Sequence, residues 1–419
     1  MIRFVSAIVT LCGALILAAP ATASAVLTLE RVVLVQRHGV RPPIPDNASL
    51  ARYSDQAWPA WPVAPGELTP HGAATVKLMG DTLAGVYRAA GLLPASGCPA
   101  AGTVSVWADS GDQRTRQSGE VLAAALAPGC ALEAAWGPPA ARDPIFDGAA
   151  NTPACVADPA AERAAMLSAI GPGGLDTPAT TAAAKRMQAI LAPRACAGGP
   201  GVCLVGNDQI VAGPTGIRIE GPMTSLISLT EDIYLEYAEG MPGAQVGWGK
   251  AGSARAISAV MAPHERLFGL FRHDYYAAAR AGAPMARLIL AALAGETRAQ
   301  APQFGPATRV LALAGHDSNL AFIGGIFGLD WTLPANPDAT APATTLAFEL
   351  WSDKASGRQF VRPVIYYETL DQLRALSPAS ARQMPLKFAG CAKGPMGSCP
   401  LANVSRRALS LIPPDCGIL

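Results

Sequence analysis

Three short apolar runs, each ending in polar residues, indicate the fold class of this chain. They span 32–35, 103–108 and 310–314. Near-continuous apolar runs are typical of strands buried on both faces of a parallel sheet. A stretch with helical spacing follows each run, and such alternation predicts an α/β fold with a three-layer core, in which helices flank a mainly parallel central sheet. The predicted helices lie at 68–90, 115–126 and 319–327.

Two further segments complete the predicted organisation. A β-hairpin is expected at 344–367, with a polar turn near its middle. The region 151–252 is rich in Ala, Gly and Pro and contains helix-like pieces, which predicts a smaller, mostly helical domain inserted into the core. The core itself would then comprise 26–150 and 253–419.

The N-terminus has the pattern of a secretory signal peptide over residues 1–25. Arg3 supplies the positive end, an apolar stretch follows, and small residues allow cleavage after Ala23 or Ala25. We therefore expect a periplasmic or secreted protein that does not remain in the membrane once the signal is removed. An uncleaved anchor is the alternative.

The charge balance bears on the partners of the protein. The chain has 32 Lys and Arg against 31 Asp and Glu, so cleavage, which removes Arg3, leaves no net charge. Nucleic-acid-binding proteins are usually basic, so this balance argues against that class. Any anion site must be a local cluster of cations. A small-molecule ligand and a monomeric protein are expected.

Eight cysteines remain after removal of Cys12 with the signal peptide. An even number in an exported chain predicts four disulfides, although eight cysteines allow 105 connectivities. Cys196 with Cys203 and Cys391 with Cys399 are the local pairs that close short loops. No C-x-x-C pair occurs, which argues against a zinc ribbon.

The polar residues at the strand ends suit the chemistry of a phosphate monoester. The planar guanidinium groups of Arg37, Arg41 and Arg114 can contact phosphate oxygens at two points each. His38 is the candidate nucleophile, and the nearby arginine charges are expected to lower its pKa and keep the imidazole neutral. Asp317 is the candidate acid that protonates the leaving group.

His316 would add a donor to the phosphoryl oxygens, and the reaction requires neither a metal ion nor a cofactor. Structural interpretations remain open at this stage. Arg114 could simply pair with Asp109 or Asp112, and His316 and Asp317 could cap a helix. Glu231 would by default lie on a solvated helix face. Structural roles are also expected for the remaining histidines, His71, His264 and His273.

Taken together, these residues resemble the histidine acid phosphatase family, which includes bacterial periplasmic phytases and glucose-1-phosphatase. The segment 37–43 matches its RHGxRxP motif, and His316-Asp317 matches its second motif. The resemblance implies a phosphohistidine mechanism with His38 as nucleophile and Asp317 as proton donor. It also implies a cleft between an α/β core and a smaller α domain. The implied disulfides are Cys98–Cys130, Cys155–Cys416, Cys196–Cys203 and Cys391–Cys399.

Departures from the family concern the substrate pocket, to which we assign Ile44, Ser318 and Glu231. Phytases carry a Thr-Lys pair where this chain has Ile44 and Pro45, which weakens the case for inositol hexakisphosphate. Ser318 is of the glucose-1-phosphatase type, whereas Val40 is phytase-like. The substrate therefore stays open between phytate, a sugar phosphate, a nucleotide and a broad range of monoesters.

Two other functions remain as alternatives. A phosphoglycerate-mutase-like transferase belongs to the other branch of the superfamily, which usually carries glutamate where this chain has Val40. A phosphate-binding protein without turnover is the second alternative. Asp317 argues against it, because binding alone needs no proton donor.

Overall fold

The computed structural model describes residues 27–139, 141–148, 153–213, 216–391 and 394–418. The expected signal peptide lies outside the described residues and stays a prediction. The strands, in chain order, are β1 (Leu27–Arg37), β2 (Val104–Ala108), β3 (Ala134–Ala135), β4 (Gln209–Gly213), β5 (Gly216–Glu220), β6 (Val310–Gly315), β7 (Thr345–Asp353), β8 (Gln359–Tyr367), β9 (Arg382–Pro385) and β10 (Cys399–Pro400).

Eight of these strands form one sheet in the order β10-β8-β7-β1-β6-β2-β3, and β9 pairs with β8. The central strands β1, β6 and β2 run parallel, as the apolar runs predict. Beyond β1 the sheet is antiparallel, because β7 and β8 form the expected hairpin and β7 pairs with β1. The predicted fold class is confirmed.

The helices cover both faces of this sheet and also form a separate group. In chain order they are α1 (Asn47–Leu50), α2 (Pro70–Ala89), α3 (Gln113–Leu126), α4 (Pro159–Ile170), α5 (Pro178–Leu191), α6 (Met223–Ala238), α7 (Ala254–Ser258), α8 (Ala262–His273), α9 (Tyr275–Ala281), α10 (Ala283–Ala294), α11 (Asp317–Phe327), α12 (Leu370–Ala375) and α13 (Leu401–Leu411).

Alternation along β1 explains why the whole strand is apolar. Leu34 packs with residues of α2 and α3, in a core that includes Leu83. Val35 points the other way and packs with residues of α10 and α11, in a core that includes Ile289. Because successive side chains of a strand face opposite sides, a sheet covered on both faces requires apolar residues at every position.

The helices α5 and α6 bury a further apolar cluster of their own. It includes Met187 and Ile233, and it extends to Leu50 and Trp58, which precede the predicted insertion. The division of the chain at 151–252 stays a prediction. Within the part of the chain that the structure describes, no single helix is long and apolar enough to cross a membrane, although the bent pair α9–α10 meets that test when taken together.

Four disulfides are present, with the pairing that the resemblance implies. Two join cysteines 7 and 8 positions apart in the chain, and a third joins positions 32 apart. The fourth joins the start of the helical region to the C-terminus across 261 positions. They are Cys98–Cys130, Cys155–Cys416, Cys196–Cys203 and Cys391–Cys399.

Candidate active site

The register of the parallel strands brings the three polar clusters together. Arg37 lies opposite Gly315 in the ladder between β1 and β6, and Ala108 lies opposite Ala314 on the other side of β6. The residues that follow each strand are therefore neighbours. The rings of His38 and His316 lie 5.6 Å apart, with an edge of one directed at the face of the other.

His38 is buried, and one of its ring nitrogens is committed to the backbone. Nδ1 lies 2.7 Å from the carbonyl oxygen of Gly39, which can only accept, so Nδ1 carries the proton. Burial lowers the pKa of His38 well below its usual value, and the charges of Arg114 and Arg37 lower it further. The imidazole is therefore neutral, and its Nε2 keeps a free lone pair.

The loop that follows His38 packs against the N-terminus of α2 through two glycines. A Cβ at Gly39 would lie 2.2 Å from the carbonyl oxygen of Gly72, and a Cβ at Gly72 would lie 2.2 Å from that of Val40. Thr69 caps α2, and its backbone N–H donates to the Val40 oxygen at 3.1 Å. This contact positions the segment that carries His38 and Arg41.

Arg37 is completely buried and surrounded by acceptors. Its Nη1 donates to Oδ2 of Asp338 and to the carbonyl oxygen of Thr340, both at 2.8 Å. Its Nη2 donates to Oε1 of Glu231 and lies 2.9 Å from Oδ2 of Asp317. Although burial acts to lower the pKa of Arg37, these carboxylates raise it, so the guanidinium is permanently charged.

Glu231 joins two of the arginines, and the interpretation of this residue as part of a solvated helix face is wrong. It is buried on α6, and its Oε2 accepts from Nη2 of Arg41 at 3.0 Å. Burial alone would raise its pKa, but Arg41 and Arg37 lower it to about 2. The spacing of apolar residues along one helix cannot predict these two contacts, because both arginines lie about 190 positions earlier in the chain.

Arg114, near the start of α3, pairs with one of the two aspartates considered from the sequence. Its Nη2 lies 2.9 Å from Oδ2 of Asp112, and its Nη1 donates to the carbonyl oxygen of Gly66 at 3.2 Å. Burial and the neighbouring Arg41 lower the pKa of Arg114. Arg114 therefore pairs with Asp112 and also lies close to the other arginines of the site.

His316 and Asp317 lie at the N-terminus of α11, as the capping interpretation expected, yet both also face the site. Asp109, which sequence reasoning left as a partner for Arg114, instead lies 2.7 Å from Nε2 of His316 and orients that ring. The backbone N–H of Ser318 donates to Oδ1 of Asp317 at 2.7 Å. Oδ2 of Asp317 remains directed at Arg37.

Of the other candidate residues, one lies at the exposed edge of the site and the others lie in the protein around it. Ile44 is 58% exposed, and it lies beside Gly66, the same residue that accepts from Arg114. His71 contacts the carbonyl oxygen of Leu373 at 2.8 Å, which agrees with a structural role. His264 is buried beside Asp338, a residue that sequence reasoning missed because it follows no strand and belongs to no recognisable motif.

Among the residues that the structure describes, two groups of side chains have ligand atoms close enough to share a metal ion. They are Asp109 with Asp112 and His316, and His264 with Glu265 and Asp338. In each group a carboxylate already pairs with an arginine of the site, which a metal would have to displace. The expectation of a metal-independent reaction stays a prediction.

A neutral imidazole among three arginines, with a carboxyl group beside it, is a site suited to phosphoryl chemistry. The sequence profile of the histidine phosphatase superfamily (branch 2) matches residues 28–171 and 233–366. The chain belongs to this superfamily, and the prediction of a phosphoric monoester hydrolase is confirmed at the level of class. The mutase-like alternative belongs to the other branch.

Similarity to individual proteins extends over nearly the whole chain. Phytase AppA of Escherichia coli is 33% identical over 414 residues, covering 94% of each chain. Glucose-1-phosphatase of Salmonella typhimurium is 28% identical over 89% of this chain and 90% of its own. The structure of Hafnia alvei phytase in complex with tartrate superposes with a TM-score of 0.85 at 32% identity, covering 95% of this chain and all of that one.

Proposed function

We propose that this protein hydrolyses phosphate monoesters through a covalent phosphohistidine on His38, with Asp317 as the proton donor. The observation that carries the proposal is the state of His38: a neutral ring whose Nδ1 proton is held by the Gly39 carbonyl, so that Nε2 is available to attack. Surface histidines with solvated rings lack this combination.

The arginines supply the electrostatic part of the reaction. Within the described residues, the Nε–H groups of Arg37, Arg41 and Arg114 have no hydrogen-bond partner in the chain. Such donors can bind the phosphoryl oxygens and stabilise the charge that spreads over them during transfer. His316, whose Nε2 pairs with Asp109, lies beside His38 at the same edge of the site.

The chemistry proceeds in two steps that balance. Nε2 of His38 attacks phosphorus and forms an N–P bond while the ester P–O bond breaks, and Asp317 gives its proton to the departing oxygen. Water then attacks phosphorus, Asp317 accepts the proton from that water, and the N–P bond breaks to release phosphate. These steps regenerate the protonated Asp317 and the free enzyme.

The substrate is proposed at the level of a class. The relatives named above include a phytase and a glucose-1-phosphatase, so both phytate and sugar phosphates are candidates. On one side the site is bordered by the exposed Ile44 and by a hollow of about 150 Å³ lined by Trp61, Val63 and several prolines. Because the described residues that line this hollow include no cation for a second phosphate, we expect monophosphate esters to be better substrates than phytate.

The decisive experiment compares the wild type with His38→Ala on a chromogenic phosphate ester. We expect the variant to lose at least about 10⁴-fold in kcat, as when the nucleophile of a covalent mechanism is removed. Wild type incubated with a ³²P-labelled ester and quenched in alkali, in which the N–P bond is stable, should carry label on His38, and chelators should leave its activity unchanged. Full activity in the variant would refute the proposal, and absence of turnover in the wild type would favour the binding-protein alternative.

The same assay with phytate, glucose 1-phosphate and a nucleotide ranks the substrates by kcat/KM. Export to the periplasm or medium and a monomeric state belong to the same proposal. The four disulfides support export, because such bonds persist in oxidising compartments. The N-terminal residue of the mature protein tests it, with Ser24 or Val26 expected.

A further inference from the structure

Asp338 lies behind the phosphate site and controls one end of the Arg37 guanidinium. It is fully buried, and together with the Thr340 carbonyl it accepts both protons of Nη1, each at 2.8 Å. Nη1 therefore has nothing left to offer a ligand. The Nη2 and Nε side of Arg37 is the side that lies towards Glu231 and Asp317.

Asp338 is itself held rigidly. Its Oδ1 accepts from the backbone N–H of Thr340 at 2.8 Å and from the Thr340 hydroxyl at 3.0 Å. Nε2 of His264 lies 3.5 Å from the same oxygen, and the His264 ring stacks on Phe268 at 4.4 Å between centroids. The carboxylate that orients Arg37 thus has a fixed position of its own.

Charges alternate along the five side chains that lead from His264 to Arg41. Burial would lower the pKa of His264, but Asp338 raises it to about 9, so the ring is a cation at neutral pH. Burial would raise the pKa of Asp338, but His264 and Arg37 hold it below its usual range. The order is then His264 (+), Asp338 (−), Arg37 (+), Glu231 (−) and Arg41 (+).

Alternation of this kind holds Arg37 between anions on opposite sides. An arginine with a single anionic partner can swing about that partner, whereas one held at both ends keeps a single orientation. Transition-state stabilisation depends on donors that are already aimed at the developing charge, because reorientation during the reaction costs free energy. Binding of phosphate in the ground state depends less on the orientation of Arg37, since a mobile guanidinium can still contact the bound anion.

We propose that Asp338 is a positioning residue of the phosphate site, which orients Arg37 so that its Nη2 and Nε edge faces the phosphoryl group, and that His264 holds Asp338 in place. The inference rests on the proposed function. It adds two residues that lie in no motif, and neither of them touches the substrate.

The test separates orientation from binding. For Asp338→Asn, which removes the charge at constant shape, we expect kcat to fall about 10- to 100-fold, as when an outer partner of a functional group is lost. The inhibition constant of inorganic phosphate should change less than about threefold, because the charge of Arg37 remains. Asp274→Asn is the matched control, since Asp274 is a buried aspartate that caps α9 and should affect stability alone.

A milder variant keeps the test decisive if Asp338→Asn does not fold. Thr340→Val removes the hydroxyl that donates to Asp338 but keeps the carbonyl that accepts from Arg37. The loss of one hydrogen bond should lower kcat about threefold, again with little change in phosphate inhibition.

Two outcomes would overturn the inference: unchanged kcat in both variants, or a loss of phosphate inhibition in proportion to kcat. The proposed function is judged separately by His38→Ala. If that variant is inactive while Asp338→Asn retains full kcat, the positioning role fails and the phosphohistidine mechanism stands.

Discussion

The protonation state and orientation of single residues in this site are set mainly by their neighbours. His38 is a nucleophile candidate because a carbonyl holds its Nδ1 proton and because burial and arginine charges keep the ring neutral. Glu231 pairs with Arg37 and Arg41 and fixes the positions of their guanidinium groups relative to each other. Asp317 combines a position at a helix N-terminus with an oxygen directed at Arg37.

Asp317→Asn tests the role of this residue as the acid. We expect kcat for alkyl phosphates to fall about 100- to 10,000-fold, because a poor leaving group needs a proton to depart. For p-nitrophenyl phosphate, whose leaving group needs little protonation, the loss should be much smaller. Asp330→Asn, at an aspartate that is 66% exposed in its side chain, serves as the control. Equal losses on both substrates would show that Asp317 is not the general acid.

At the level of elements, the site is built where three parallel strands end and the helices α2, α3 and α11 begin. The loop after β1 lies so close to α2 that neither Gly39 nor Gly72 has room for a Cβ. This contact couples the position of Arg41 to the N-terminus of α2, whose cap Thr69 also bonds the loop. The helix thus supports the loop that carries His38 and Arg41.

Gly72→Ala should reveal this coupling. The new Cβ would meet the backbone of Val40, so the loop must shift, and we expect kcat/KM to fall about 10- to 100-fold. Overpacking should also lower the free energy of unfolding by about 1–3 kcal/mol. Gly85→Ala, on the same helix with nothing within 4 Å of its Cβ, is the matched control and should keep full activity. Wild-type activity in Gly72→Ala would contradict the coupling.

Over the whole molecule, buried ionisable groups make stability depend on pH. Burial raises the pKa of Asp232, Glu236 and Glu368 to about 8, from ordinary values of 3.8 and 4.5. Between pH about 4 and 8 the folded protein therefore binds more protons than the unfolded chain, and stability falls as pH rises. His264, with a pKa of about 9, adds stability that is present below pH 6.5 and lost through pH 9.

The opposite sign applies to Glu231, whose pKa is lowered to about 2 and whose contribution is lost only as pH falls towards that value. We expect the melting temperature to be highest near pH 4–5 and to decline towards pH 9. Glu236→Gln, which keeps the neutral form, should make the decline between pH 5 and 8 shallower. Calorimetry across this range is the measurement, and a melting temperature that rises from pH 5 to pH 9 would refute the prediction.

Much of the fold and part of the site could be predicted from the chain itself. Apolar runs and helical spacing are local properties, so the parallel strands and the helices that follow them were predictable at 32–35, 103–108 and 310–314. Residues at the ends of parallel strands must share one edge of the sheet, which is why His38, Arg114 and His316 could be grouped in advance. The motif resemblance added the pairing of distant cysteines.

Tertiary structure alone decided the partners of the charged groups. Asp338 and Glu231 reach Arg37 from 301 and 194 positions away, and nothing local distinguishes either residue from a solvated carboxylate. The assignment of Asp109 to His316, and of Asp112 to Arg114, was likewise made by strand register and helix placement. The sequence by itself determined the chemical groups and the edge of the sheet where they gather. Their pairing required the folded chain, because electrostatic contacts depend on distance in space and burial, which sequence separation does not encode.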